Sequence, residues 1–168
     1  MALTFAALLY CTSMSVSAER NVVVDIANRT IDGVDMKLGM GEITSIVGQS
    51  RVVKEIEYLE GDPSDLYVID FYGHKVYRHW NGISFTDSFF QTKKGLRVGS
   101  TISEFDREYG VGELSWSEGA GHVVRYSAKE TTFVILTPGG CITYQNKEVT
   151  IKRRYCKATE IWFVNRSM

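Results

Sequence analysis

This 168-residue sequence lacks an excess of basic charge, because 20 Asp and Glu residues balance 19 Lys and Arg residues. A protein that binds nucleic acid needs positive charge to displace the counter-ions of the phosphate backbone. The formal net charge of −1 therefore argues against nucleic acid as a partner. Lys152, Arg153, Arg154 and Lys157 form a local basic cluster. Such a cluster is usually a solvated strand face, and contact with a phosphate or an acidic surface is the alternative.

A long hydrophobic run is missing as well. The most apolar stretch covers residues 2–10, whereas a bilayer crossing takes roughly 20 apolar residues, so we predict no transmembrane segment. Small residues follow at 16–18, which is typical of a signal peptide that is cut before Glu19. We therefore predict a signal peptide over residues 1–18; the alternative is a buried N-terminal strand or helix. Tyr10 is a poor match to the small residue that lipoprotein processing requires before Cys11, which argues against a lipid anchor, and lipidation of Cys11 stays an open alternative.

Cysteine is scarce, with three residues in the chain. Removal of the signal peptide removes Cys11 and leaves Cys141 and Cys156. In an oxidising compartment an even number of cysteines favours pairing, so we predict a disulfide between these two. In the chain-entropy model, closing a loop of about 15 residues stabilises a fold by roughly 3 kcal/mol.

The remaining sequence fits one domain over residues 19–168, with a hydrophobic fraction of 44%. Residues 36–48 and 96–110 resemble each other. Each begins with a short extended segment and a glycine, continues with apolar residues at helical spacing and ends with a glycine that would terminate the helix. Thr101 and Glu104 form a capping box in the second. After each helix the pattern changes from period 3.6 to period 2, which indicates antiparallel strands.

The period-2 segments predict strands at 51–59, 66–72, 75–80 and 83–86, and at 122–127, 131–136, 141–144, 148–152 and 155–164. Asn81-Gly82 is a hairpin signal, and Gly73-His74 is predicted to form a second tight turn. The predicted fold is α+β, an antiparallel sheet with two short helices. We interpret it as two degenerate helix-plus-meander repeats, at about 33–90 and 95–164.

The segment Gly95-Leu-Arg-Val-Gly99-Ser-Thr-Ile-Ser-Glu-Phe and the strand Lys157-Ala-Thr-Glu-Ile-Trp162 resemble an uncharacterised family of small envelope lipoproteins of Gram-negative bacteria, which carries a domain of unknown function. The duplicated helix unit also resembles the repeat of the beta-lactamase-inhibitor-like fold, in which two helix-and-strands units form a sheet with a concave binding face. Together these resemblances cover about residues 33–164. They imply a periplasmic, non-catalytic protein that binds another protein.

Catalytic and metal-binding alternatives rest on few residues. Gly139-Gly140-Cys141 with His122 resembles the histidine and cysteine segment of L,D-transpeptidases, whose thiolate needs an activating base and an oxyanion hole. A disulfide would block that thiol. His74 and His79 fall on opposite faces of an ideal strand and would not share a metal ion. The sequence predicts no catalytic residues, no metal site and no cofactor.

An aromatic hairpin over residues 70–90 is the best candidate for a contact surface, since aromatics interleaved with Arg and His are common in protein interfaces. Ordinary strand packing is the alternative for its tyrosines. Two polar loops, at 61–65 and 118–122, are further candidates. The predicted partner-binding residues are Tyr72, His74, Tyr77, His79, Trp80, Asp62, Asp65, His122, Arg153 and Arg154.

These features favour an exported, non-catalytic domain that binds another protein, as an inhibitor or immunity protein for a periplasmic enzyme or toxin. A structural envelope protein that inhibits nothing is the first alternative. A thiol-dependent transpeptidase that uses Cys141 and His122 is the second.

Overall fold

A computed structural model describes residues 21–59, 62–80, 82–117, 121–128, 131–145 and 148–164. The predicted signal peptide, with Cys11, lies outside these ranges, and so do Asn81 and residues 118–120 of one predicted loop. Two α-helices are present, α1 at Met40–Val47 and α2 at Ile102–Tyr109. Short 3-10 turns lie at Gln49–Arg51 and Gly139–Cys141.

Fourteen strands are described. In chain order they are β1 Val22–Asp25, β2 Thr30–Ile31, β3 Val34–Asp35, β4 Val52–Leu59, β5 Asp62–Phe71, β6 His74–His79, β7 Gly82–Phe85, β8 Phe90–Thr92, β9 Glu113–Ser117, β10 Gly121–Ala128, β11 Thr131–Leu136, β12 Ile142–Gln145, β13 Glu148–Ile151 and β14 Glu160–Val164.

Eight of these strands form one antiparallel sheet in the order β4-β5-β6-β7-β14-β11-β10-β9. The strands that follow α1 occupy one half, and strands that follow α2 occupy the other. The halves meet where β7 pairs with β14, with Phe85 opposite Ile161. The predicted α+β class, with an antiparallel sheet and two short helices, is confirmed.

A second sheet was not predicted from the sequence. It has the order β3-β2-β1-β8, and β1 and β8 run parallel. Its strands are two to four residues long, too short to show a period in the sequence. Strand β9 was also missed, and β12 and β13 pair only with each other.

One face of the eight-stranded sheet carries the core, because alternate residues of a strand point to the same side. Ile69, Val76, Phe85, Phe133 and Ile161 are buried there with residues of β1, α1 and α2 in a single cluster. The helices contribute few residues, Ile43 from α1 and Ile102 and Phe105 from α2. The core therefore lies between the large sheet and the layer formed by the helices and the small sheet.

The predicted disulfide between Cys141 and Cys156 is confirmed. Cys156 is 1% exposed and belongs to the core cluster, and its carbonyl accepts a hydrogen bond from the Ile102 amide at the start of α2. The bond therefore ties the turn after β11 to the segment that supports α2.

Three local predictions need correction. His79 pairs with Gly82, so Gly82 belongs to β7 and not to the centre of the turn. Its buried position explains the glycine, because a Cβ there would lie 2.3 Å from the carbonyl oxygen of Phe163. Asp62 and Asp65 lie in β5 and not in a loop, since β4 and β5 pair as far as Leu59 opposite Asp62. The other tight turn lies one residue earlier than predicted: its central residues are Tyr72 and Gly73, both at positive φ, and His74 pairs with Phe71 as the first residue of β6.

Candidate functional site

The second face of the eight-stranded sheet, here called the open face, points away from the core cluster. Direct cross-strand partners share a face, which places one row across the sheet: Val53, Val68, Tyr77, Ser84, Trp162, Val134, Arg125 and Glu113. Val68 and Val134 in this row are buried, yet neither belongs to the core cluster. Their burial comes from larger neighbours on the same face.

A polar cluster lies in the middle of the open face. His79 Nδ1 is 2.7 Å from Glu57 Oε2, and His79 Nε2 is 3.1 Å from Ser84 Oγ. The indole of Trp162 stacks on the imidazole, with ring centroids 4.3 Å apart. Glu57 Oε1 and Trp162 Nε1 are buried without a hydrogen-bond partner among the described residues. These two atoms still have hydrogen-bonding capacity, which buried polar groups rarely leave unused.

The order serine, histidine, carboxylate is that of a hydrolase triad, but the geometry does not suit a nucleophile. Ser84 is 1% exposed, so its hydroxyl is out of reach of a substrate. Strand β7 is also paired on both sides, with β6 and β14. Its amides are therefore directed into the sheet and form no oxyanion hole on the open face. The cluster holds side chains in place on the open face.

Acidic residues outnumber basic ones on the open face. Their positions follow from cross-strand pairing. The acidic side chains are Glu55, Glu57, Asp62, Asp70, Glu113 and Glu160, and the basic ones are Lys75 and Arg125. A negative surface favours a partner with a positive one.

Among the predicted partner-binding residues, Tyr77 and His79 lie together on the open face. His74 lies on the opposite side of β6, where it stacks on Phe89 at 3.7 Å and contacts Asp87 Oδ2. Burial alone would raise the pKa of Asp87, but hydrogen bonds from His74 and from the Phe89 amide outweigh it and lower the pKa. His74 therefore has a structural contact at the edge of the core.

Three predicted residues are exposed but separated. Tyr72, in the turn between β5 and β6, donates a hydrogen bond to Asp32. Trp80 is 58% exposed at the end of β6. Asp62 lies at the far end of the β4–β5 hairpin. None of the three joins the polar cluster of the open face.

Two more predicted residues are engaged in ion pairs. Asp65 pairs with Lys54 at 2.8 Å, where both side chains are more than half exposed. Arg153 makes a two-oxygen contact with Asp106 on α2 and donates to the Gly112 carbonyl. Arg153 therefore supports the fold, whereas Arg154 is exposed beside it.

His122 lies in an aromatic cleft of about 240 Å³ beyond α2. Its Nε2 is 2.7 Å from the Tyr144 hydroxyl, and its ring is edge-on to Trp116. Both aromatics are about two-thirds exposed. Cys141 is in its disulfide and the hydrogen-bond partner of His122 is Tyr144, so this arrangement does not build the thiol–histidine pair of a transpeptidase.

Comparison with solved structures finds a protein of similar fold. No protein family matches the chain, and no curated protein does. The chain resembles YfeY of Escherichia coli. That uncharacterised protein superposes with a TM-score of 0.53 at 11% identity, over 87% of this chain and 100% of YfeY. At this identity the likeness to YfeY shows a shared fold and nothing more.

Sequence reasoning missed Glu57, Ser84, Trp116, Tyr144 and Trp162 as parts of these surfaces. A signal was present for Trp162, because Ile161 and Phe163 are core residues and strand alternation turns Trp162 to the other face. In the parts of the chain that the structure describes, no group of His, Cys, Asp or Glu is arranged to hold a metal ion. No helix in those parts is long and apolar enough to cross a membrane.

Proposed function

We propose that this chain is an exported, non-catalytic domain whose open face binds another protein, as an inhibitor or immunity protein for an enzyme or toxin of the cell envelope. The observation that carries the proposal is the open face itself. One side of the sheet packs on the helices, while the other presents Tyr77, Trp162 and the exposed Val53 among charged residues. A mixed aromatic, aliphatic and charged surface is the composition of protein interfaces.

The charge of the open face suggests the chemistry of the partner. Its acidic excess would attract a basic surface and speed association. An inhibitor that covers a basic substrate-binding region of an enzyme needs no catalytic group of its own. The disulfide supports an oxidising location such as the periplasm, because such bonds persist there and are rare in the cytosol.

We also propose that the two halves of the sheet are degenerate repeats, as in the beta-lactamase-inhibitor-like fold. An eight-residue helix precedes each half, and four strands of each half are adjacent in the sheet. The halves are unequal, because three short strands precede α1 and the β12–β13 hairpin is inserted before β14. The same proposal includes that this chain is related to the small envelope lipoproteins of Gram-negative bacteria.

The test uses two exposed aliphatic residues of β4 that point to opposite faces. Val53 is 54% exposed on the open face, and Ile56 is 64% exposed on the other. The purified protein is used to capture partners from periplasmic and secreted fractions, and each captured enzyme is assayed with and without it. We expect Val53→Arg to weaken capture and inhibition at least about tenfold, because it puts a positive charge where a basic partner would bind, and Ile56→Arg to leave both unchanged.

The outcomes separate the candidate functions. Capture that is lost in both variants, or in neither, contradicts binding through the open face. Specific capture without any inhibition favours the structural envelope protein. A transpeptidase would instead require an alkylatable Cys141 in the folded protein, which intact mass after alkylation measures.

A further inference from the structure

A second feature is a basic pocket at one end of the sheet, here defined by Arg29, Lys37, Arg78, Trp80 and Gly82. The pocket has a volume of about 130 Å³, and a single water needs only about 10–15 Å³ on this measure. It is therefore large enough for a group of several heavy atoms. Trp80, more than half exposed, lies at its edge.

Arg78 is the central cation of the basic pocket. Its Nη1 donates to the Leu38 carbonyl at 2.7 Å, which uses one of the five N–H donors of the guanidinium. Among the described residues, no carboxylate forms an ion pair with Arg78. Partial burial lowers the pKa of Arg78, but an arginine stays charged throughout the physiological range. Within the described part of the chain, Arg78 is therefore a partly buried positive charge without a counter-ion, which is costly unless something compensates it.

The other lining groups strengthen the positive charge. Arg29 reaches the pocket from the turn between β1 and β2, where its φ is 58°. Lys37 also lines the pocket, and its ion-pair partner among the described residues is Asp35, 3.9 Å away, with both side chains exposed. No acidic residue lines the pocket among the described residues. Gly82 has no side chain to fill it.

We propose that the basic pocket binds an oxyanion, either a carboxylate or a phosphate group of a ligand. Arg78 supplies paired N–H donors in the planar arrangement that suits two oxygens of one anion. Arg29 and Lys37 supply further charge at the rim. The pocket lies at the end of the β6–β7 hairpin and is lined mainly by residues outside the open face, so its ligand need not be the protein partner proposed above.

The test is a titration at constant ionic strength, because exposed lysines attract any anion at low salt. Inorganic phosphate and glutarate are added separately to the folded protein, and the indole N–H of Trp80 and the backbone amides are followed by NMR. We expect saturable shifts confined to the pocket, with a dissociation constant on the order of 1 mM for so small a ligand. Saturation by phosphate alone identifies a phosphate ligand, and saturation by glutarate alone identifies a carboxylate ligand.

Three variants check the assignment. Arg78→Gln should weaken binding about tenfold or more, since a charge-assisted hydrogen bond is lost. Arg78 also contacts Leu38, so Lys37→Gln at the exposed rim provides a second variant that leaves the fold intact. Lys54→Gln, on the distant β4–β5 hairpin, makes the same change in net charge. Binding that saturates with neither anion, or that falls equally in Lys54→Gln and Lys37→Gln, overturns the proposal. The Val53→Arg variant, which is expected to lose partner binding, should still bind the anion. The anion result and the partner result can therefore fail independently.

Discussion

Asp106 on α2 is the residue on which the second half of the sheet depends most. It accepts hydrogen bonds from Arg153, from the Tyr126 hydroxyl at 2.9 Å and from the Gly112 amide at 3.0 Å. Burial raises the pKa of Tyr126, and the adjacent Asp106 carboxylate raises it further. These contacts link α2, strand β10, the turn before β9 and the segment after β13. Replacement of the Asp106 carboxylate would therefore remove contacts to four elements at once.

The adjacent arginines of the basic cluster allow a matched test of this network. Arg153→Met removes a partly buried ion pair and the bond to the Gly112 carbonyl, so we expect the free energy of unfolding to fall by about 2 kcal/mol. Arg154→Met, at an exposed position, should change it by less than about 0.5 kcal/mol. Urea denaturation measures both. Equal effects would show that the Asp106 contacts contribute nothing to stability.

At the scale of elements, the two helices are equally long but begin differently. At α2, the Thr101 amide donates to Glu104 Oε2 at 2.6 Å, and the Glu104 amide donates to the Thr101 hydroxyl. At α1, the Gly39 amide donates to Glu42 Oε2, but glycine has no side chain to return a bond. The N-terminus of α2 is therefore held from both directions and that of α1 from one.

The capping box of α2 makes stability depend on pH. Hydrogen bonds from the Thr101 amide and hydroxyl lower the pKa of Glu104 below its ordinary value of 4.5. A carboxylate with a lowered pKa stabilises the folded state fully above its ordinary pKa, and this contribution is lost as the pH falls through the lower folded pKa.

We therefore expect Glu104→Gln to lower the free energy of unfolding by about 0.5 kcal/mol at pH 7, and by progressively less below pH 4.5. Glu148→Gln, at an exposed position of β13, is the control. Urea midpoints between pH 3 and pH 7, in the range where carboxylates titrate, test the difference. A difference that stays constant over this range would contradict the assignment.

At the scale of the whole molecule, the junction of β7 and β14 holds the two halves of the sheet together. Gly82 lies against the Phe163 backbone there, and an added Cβ would force the strands apart. We expect Gly82→Ala to lower the free energy of unfolding by about 2 kcal/mol or more, as overpacking against backbone does.

Gly41→Ala is the matched control, since Gly41 lies on the exposed side of α1 with open space around it. Alanine has the higher helix propensity, so this variant should gain about 0.5–1 kcal/mol. Thermal unfolding measures both variants. If Gly82→Ala left the free energy of unfolding unchanged, the two halves of the sheet could separate slightly without loss of stability.

The sequence predicts the fold better than the surfaces. Period-2 patterns of four or more residues located most strands of the large sheet, and glycines located both helices. The two-residue strands β2 and β3 are too short to show such a pattern. In the same sheet, the parallel pairing of β1 with β8 joins residues that are distant in sequence. Trp116 and Tyr144 meet at His122 only through tertiary packing. The cysteine count predicted the disulfide, because only Cys141 and Cys156 are left to pair if Cys11 belongs to the predicted signal peptide.

The central position of β14 has a consequence for how the chain folds. Strands β4 to β7 form by local hairpins, but β7 then presents an unpaired edge, and all four of its residues are buried in the finished sheet. That edge is covered only when β14 arrives from far along the sequence. Contacts so distant in sequence form slowly. A partly folded chain would therefore expose a short apolar edge, and chaperone protection or dilution should decide its folding yield.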